Sequence, residues 1–116
     1  MIDQASLMSV VRSVRPDEVY NLAAQSFVGD SWEQARLTTE VNALGVLYLL
    51  NAIKFFHPSA KFYQASTSEM FGNSSGLHAA NEKTPFHPRS PYGISKLYAH
   101  WMSVNFRESY GMFCAS

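Results

Sequence analysis

Helical and strand-like patterns alternate along this chain, and the alternation restricts its fold more than any other feature. Apolar residues at helical spacing predict helices over 6–14, 31–56 (with a break near Thr38 and Thr39) and 91–110. Short runs of strand-forming residues predict strands over 18–22, 61–65 and 112–115. This order, α-β-α-β-α-β, favours an α/β fold in which helices cover a parallel sheet.

Composition excludes several classes of protein. Nine acidic and nine basic residues balance, so there is no electrostatic footprint for nucleic acid or an anionic membrane. The most apolar stretch, 43–50, is too short to span a bilayer, and the first residues lack the pattern of a signal peptide. Cys114 is the one cysteine, which rules out an internal disulfide and fits a reducing compartment. We therefore expect a cytoplasmic protein without a metal site, because the four histidines (57, 78, 87 and 100) show no ligand spacing.

Three segments that can carry chemistry are expected at one edge of the sheet. Small and polar residues at 23–26 follow the first predicted strand, and residues 66–69 follow the second. In parallel sheets ligands bind beyond the carboxyl ends of the strands. The third predicted helix opens with Tyr92 and Lys96, which share one helical face at i and i+4. An ammonium beside a phenol favours the phenolate, so this pair can act as a general base.

The segments that follow the first two strands also have a simpler interpretation. Glu69 could abstract a proton from carbon, with hydroxyls of Thr67 and Ser68 holding a substrate oxygen, but Ser or Thr followed by Glu is also a helix-capping pattern. The pair Ala23-Ala24 would let a flat ligand approach the backbone, or would simply form a tight turn.

The long loop over 70–90 is typical of functional loops. Gly45, near Asn42 in an apolar helix, predicts close packing against a neighbour, since glycine there costs up to about 1 kcal/mol.

Longer motifs resemble a known family. Residues 20–26 (YNLAAQS) and 82–96 (EKTPFHPRSPYGISK) resemble the strand-end motif and the active-site loop of the extended short-chain dehydrogenase/reductase family. Residues 62–72 and 104–111 are most similar to those of its sugar-nucleotide dehydratases that act on GDP-mannose. The resemblance implies a partial Rossmann-like, doubly wound parallel sheet that lacks the first glycine-rich βα unit.

The resemblance also implies a reaction. Tyr92, as a phenolate helped by Lys96, would take the proton of the sugar 4-hydroxyl while NADP⁺ takes hydride from C4. Glu69 would then remove the C5 proton as water leaves C6, and the hydride would return to C6, giving GDP-4-keto-6-deoxymannose. Thr67 would hold O4. The residues expected to bind the cofactor are Leu22, Ala23, Ala24, Gln25 and Ser26, together with Tyr92 and Lys96.

Some features depart from the family pattern or leave alternatives open. No glycine-rich phosphate loop occurs, so we expect residues 1–116 to be the middle of an NADP-binding domain, without its substrate domain, and to be inactive alone. Leu37 stands where relatives tend to carry a tyrosine. Ser68 favours the GDP-mannose type over glucose-nucleotide dehydratases, which usually place an aspartate there. Glu69 argues against a sugar-nucleotide epimerase or reductase, which remains an alternative, as does a non-catalytic nucleotide-binding module.

The two apolar helices also predict an assembly. In the family, helices like those over 41–56 and 92–110 pair across a dimer. Exposed in a monomer, they would form a large apolar patch. The resemblance therefore implies a homo-oligomer formed through these helices.

Overall fold

The computed structural model describes residues 1–73 and 79–116. Its helices are α1 (Gln4–Val14), α2 (Ala35–Thr39), α3 (Gly45–Phe56) and α4 (Pro91–Tyr110), and its strands are β1 (Glu18–Asn21), β2 (Lys61–Gln64) and β3 (Cys114–Ala115). The predicted alternation of helices and strands is therefore confirmed, with boundaries displaced by only a few residues.

The three strands form one parallel sheet in the order β1-β2-β3. Phe62 of β2 pairs in register with Cys114 of β3, and both are buried beneath the helices. On the opposite face Tyr20, Tyr63 and Phe113 are exposed. Because the strands are parallel, the segments that follow β1 and β2 leave the sheet at the same edge.

One hydrophobic core joins the helices to the sheet. It combines Val11 of α1, Leu50 and Ile53 of α3, Phe62 of β2 and Phe106 of α4. Complete burial of side chains of this size stabilises the folded state by roughly 1.5–3 kcal/mol each. The core therefore fixes α3 and α4 against the sheet, and with them the side chains that these helices carry to its edge.

Helix α4 begins and ends at the residues that the sequence predicts. The Ser90 hydroxyl oxygen accepts a hydrogen bond from the Gly93 N–H at 3.0 Å, and Pro91 occupies the first helical position. At the other end Gly111 adopts φ = 66°, and its N–H donates to the Arg107 carbonyl. These caps fix the position at which Tyr92 enters the helix.

The middle helical region begins at Ala35 rather than at residue 31, and from there it is continuous to Phe56, unlike the predicted break near Thr38 and Thr39. After a 3-10 turn at Gly29–Ser31 and helix α2, the hydrogen-bonding pattern widens to a π-helical turn over Glu40–Leu44 and then continues as α3. A π turn within an α-helix frequently marks a functional position. Close packing at Gly45 is confirmed, since a Cβ there would lie 2.9 Å from the Cβ of Met1.

The remaining backbone is consistent with a long loop before α4. The described residues between Phe71 and Ser90 form turns and irregular structure. Residues 74–78, which include His78, lie outside the described part of the chain. None of the described helices is both long and apolar enough to cross a membrane. Among residues 1–73 and 79–116, no cluster of His, Cys, Asp or Glu is placed to hold a metal ion.

Candidate active site

The loop 22–26 after β1 is fixed by one side chain from the π-helical turn. The Asn42 Oδ1 accepts a hydrogen bond from the Gln25 N–H at 2.8 Å, and its Nδ2 donates to the Gln25 carbonyl at 3.0 Å. Thr38 Oγ1 adds a hydrogen bond to the Gln25 side chain at 3.2 Å. Asn42 is almost completely buried, with 1% of its surface exposed. Asn42 therefore determines where the loop lies, a role that the sequence analysis missed.

The segment after β2 forms a short 3-10 turn, Ser68–Met70, rather than a full helix. Thr67 caps it, because its Oγ1 accepts from the Glu69 N–H at 3.2 Å, so the capping interpretation is confirmed for Thr67. Glu69 is exposed. It lines a cleft of about 410 Å³ together with Ser68 and Arg89. The turn thus presents its carboxylate to solvent at the edge of the sheet.

Tyr92 and Lys96 occupy the first turns of α4 and are both buried, with 9% and 4% of their surfaces exposed. The Lys96 Nζ donates a hydrogen bond of 2.6 Å to the carbonyl oxygen of Ala65, directly after β2. Burial disfavours the charged amine and lowers the pKa of Lys96. Lys96 of the predicted helical pair is therefore anchored to the end of the central strand.

Helix α4 also approaches the Glu69 turn closely. A Cβ at Gly93 would lie 2.8 Å from the carbonyl oxygen of Glu69 and 3.1 Å from the side chain of Pro88. Only glycine fits between these groups without a shift of backbone. This contact places Tyr92, the residue before Gly93, next to the turn that carries Thr67 and Glu69.

A second cleft, of about 590 Å³, adjoins the first and shares Ser68 and Phe71 with it. It is lined by Thr67 and Ser68 and by an aromatic group in which Phe86 packs edge-on against His100 and Trp101. The His100 Nδ1 lies 2.8 Å from the Ser116 hydroxyl. Burial lowers the pKa of His100, and the positive charge of Arg107 lowers it further. The site therefore combines polar groups on the turn with an apolar wall.

The residues at the sheet edge fit a nicotinamide nucleotide. Leu22 and Ala23 are exposed after β1, and the alanine side chain does not hinder the approach of a flat ring to the backbone. The Lys96 ammonium has three N–H donors, of which the Ala65 carbonyl uses one, so two can serve hydroxyl groups of a ligand. All of the predicted site residues lie on elements that meet at this edge.

Comparisons with known proteins show which family the sequence matches. The family model described as "GDP-mannose 4,6 dehydratase" matches residues 1–116. The chain is 48% identical to a GDP-mannose 4,6-dehydratase of Vibrio cholerae, over all of this chain and 32% of that relative. It therefore spans about a third of the length of the curated relatives that it matches.

Solved structures show the same arrangement of helices and strands. RMD of Pseudomonas aeruginosa in complex with NADPH superposes with a TM-score of 0.87 at 29% identity, over 97% of this chain and 39% of that one. The dTDP-glucose 4,6-dehydratase DesIV of Streptomyces venezuelae, with NAD bound, gives 0.87 at 28% identity, over 97% and 34%. The predicted Rossmann-like fold is confirmed by these likenesses.

Proposed function

This chain belongs to the GDP-mannose 4,6-dehydratase family, and we propose that it carries the catalytic centre of a dehydratase that converts GDP-mannose to GDP-4-keto-6-deoxymannose. One observation carries the proposal: the turn with Thr67 and Glu69 packs against the start of the helix with Tyr92 and Lys96. A general base for a hydroxyl and a second base for a C–H bond are the two groups that such a reaction requires.

In the proposed reaction Tyr92 takes the proton of the sugar 4-hydroxyl. Lys96, one helical turn further on, stabilises the negative charge on the phenolate oxygen. The Lys96 amine is held by the Ala65 carbonyl and has no carboxylate partner among the described ion pairs. Its charge therefore remains available to the phenolate and to the ligand.

Glu69 is the proposed base for the C5 proton, and its position supports that role. The carboxylate is exposed in a cleft bounded by Gly72 and Arg89, where a sugar can reach it. Oxidation at C4 makes the neighbouring C–H acidic, so Glu69 can take the C5 proton and pass it to the hydroxyl that leaves C6 as water. Thr67 is placed beside Glu69, and its hydroxyl, which accepts the Glu69 N–H, can still donate to O4 of the sugar.

Leu22, Ala23, Ala24, Gln25 and Ser26 are the proposed residues that line the cofactor. A bound NADP⁺ would supply a hydride acceptor for C4 and, once reduced, a hydride donor for C6, so that the sugar is dehydrated with no net change in the cofactor. Lys96 would donate to the ribose hydroxyls. The choice of NADP over NAD is supported by the structural neighbour that holds NADPH, whereas the dehydratase neighbour holds NAD.

Two further proposals concern the whole protein. The 116 residues contain no glycine-rich phosphate loop, so we propose that they bind NADP weakly or not at all and are inactive alone. We also propose a cytoplasmic homo-oligomer formed through the helices over 41–56 and 92–110. The exposed side chains Ile94, Tyr98 and Trp101, which follow one face of α4, support this interface.

The variant Glu69→Gln tests the assignment in the full reading frame that contains this chain. This variant should no longer remove water from GDP-mannose, as measured by mass spectrometry. A single-turnover measurement of cofactor absorbance should still detect oxidation at C4. Glu108→Gln, at an exposed position of α4, is the matched control and should dehydrate normally. Normal dehydration by Glu69→Gln would reject Glu69 as the base. An unmodified protein that transfers hydride but releases no water would point to an epimerase or reductase.

A further inference from the structure

Two buried amide side chains lie beneath the candidate active site. Asn21 ends β1 and Gln64 ends β2, and only 4% and 2% of their surfaces are exposed. The Asn21 Nδ2 donates to the Gln64 Oε1 at 2.7 Å across the sheet. Neither residue belongs to the catalytic or cofactor-binding groups assigned above. A buried polar pair is costly to the fold unless its hydrogen bonds are satisfied, so its partners indicate its purpose.

The partners at the two ends of the pair are backbone groups with fixed roles. The Ala23 N–H donates to the Asn21 Oδ1 at 3.3 Å, and the Gln64 Nε2 donates to the Ala65 carbonyl at 2.9 Å. A backbone N–H only donates and a carbonyl only accepts, so each end dictates the same orientation for both amides. The chain of hydrogen bonds therefore runs in one direction, from the loop after β1 to the residue after β2.

The last acceptor in this chain is also the anchor of Lys96. The Ala65 carbonyl oxygen receives the Gln64 amide at 2.9 Å and the Lys96 ammonium at 2.6 Å. The Ala65 N–H is held in turn by the Asn21 carbonyl at 3.1 Å. The backbone N–H of Ala65 is therefore fixed by the Asn21 backbone, and its carbonyl is fixed by the Gln64 side chain.

We propose that Gln64 is a positioning residue: with Asn21 it fixes the Ala65 carbonyl that holds Lys96 and ties this anchor to the loop carrying Ala23. Gln64 lines neither of the two clefts at the site and acts only through the carbonyl. The kinetic consequence rests on the proposed function, because Lys96 is there the partner of Tyr92. Displacement of a catalytic group by about 1 Å can cost on the order of 100-fold in rate.

Two variants of Gln64 and one control separate positioning from general stability. Gln64→Met keeps the length of the side chain but removes the donor to Ala65 and the acceptor for Asn21. It should lower kcat about 10- to 100-fold, with the KM for GDP-mannose nearly unchanged. Ile53→Val, in the core and outside this network, destabilises the fold by removing one buried methyl group and should leave kcat unchanged.

Gln64→Glu gives a readout that does not depend on activity. The side chain of residue 64 and the Lys96 amine both bond the Ala65 carbonyl oxygen, so they lie close to each other. A carboxylate within roughly 4–6 Å of an amine raises the pKa of that amine, and a glutamate at position 64 would lie within this range. The pKa of Lys96 can be measured by NMR titration of ¹³C-labelled lysine, with the Lys96 signal assigned by its loss in Lys96→Arg. We expect this pKa to be raised in Gln64→Glu and unchanged in Ile53→Val. This variant keeps the shape of glutamine and is informative even if Gln64→Met fails to fold.

The outcomes are distinct. A normal kcat in folded Gln64→Met, or an unmoved Lys96 titration in Gln64→Glu, would overturn the positioning role. If the unmodified protein dehydrates no nucleotide sugar, the proposed function fails, and the Lys96 titration still decides whether Gln64 and Lys96 share their anchor.

Discussion

Removal of the Asn42 side chain should loosen the loop that is proposed to line the cofactor. Asn42→Ala deletes two hydrogen bonds, of 2.8 and 3.0 Å, and leaves the N–H and the carbonyl of Gln25 without these partners. An unsatisfied buried group costs about 1–3 kcal/mol. Gln25 is only half-buried, so water can replace part of the loss. We therefore expect the free energy of unfolding to fall by about 2–3 kcal/mol in total.

Urea denaturation and NADP⁺ titration of the complete protein would measure the two effects of Asn42→Ala. The loop must be ordered before it can bind, so we expect affinity for NADP⁺ to fall about tenfold, which corresponds to 1.4 kcal/mol. Asn51→Ala is the matched control, because Asn51 lies on α3 beside Met8 and Phe55, away from the loop. It should change the free energy of unfolding by less than about 1 kcal/mol and leave the affinity unchanged.

A second variant separates the two hydrogen bonds. Asn42→Asp keeps the acceptor for the Gln25 N–H but turns a carboxylate oxygen towards the Gln25 carbonyl, so it should destabilise the protein at least as much as alanine does. A loss below about 0.5 kcal/mol for both variants, or full NADP⁺ affinity in Asn42→Ala, would refute the idea that this side chain holds the loop.

Two more predictions follow from the packing and burial of α4. Gly93→Ala should reduce dehydratase activity more than Gly111→Ala, because a Cβ at 93 meets the Glu69 carbonyl at 2.8 Å whereas at 111 nothing lies within 4 Å. Alanine at 111 is strained only by the positive φ of 66°, which affects stability and not the site. Equal activities in the two variants would contradict this. Burial lowers the pKa of Lys96 from 10.5, so the unfolded chain binds this proton more tightly, and the free energy of unfolding relative to Lys96→Met should rise with pH from that lowered pKa up to 10.5. Urea denaturation of both proteins across this range would contradict the assignment if the difference fell.

The sequence predicts those parts of the structure that depend on local pattern. The cap Ser90, the proline after it and Gly111 define α4 without reference to any other element. The alternation of helices and strands fixes a parallel sheet, and the sheet brings the segments after β1 and β2 to one edge. For this reason the predicted site residues lie on neighbouring elements.

The contacts that hold those segments are long-range, and local pattern does not specify them. Asn42 meets Gln25 across 17 positions, and Asn21 meets Gln64 across 43. The π-helical turn that carries Asn42 has no evident signal in the sequence. The sequence pattern predicted a break in the helix near Thr38 and Thr39 instead. For Gln64 a signal did exist: the alternation along β2 places it on the same face as buried Phe62.

The most direct test of the proposed dehydratase uses the complete protein with NADP⁺ and a panel of nucleotide sugars, and follows the loss of one water from each by mass spectrometry. We expect GDP-mannose alone to lose water, which would also support the discriminating role of Ser68. Loss of water from a different nucleotide sugar would contradict GDP-mannose as the substrate but would still support the proposed elimination reaction. No loss from any of them would contradict the assignment of Glu69, Tyr92 and Lys96 to a dehydration.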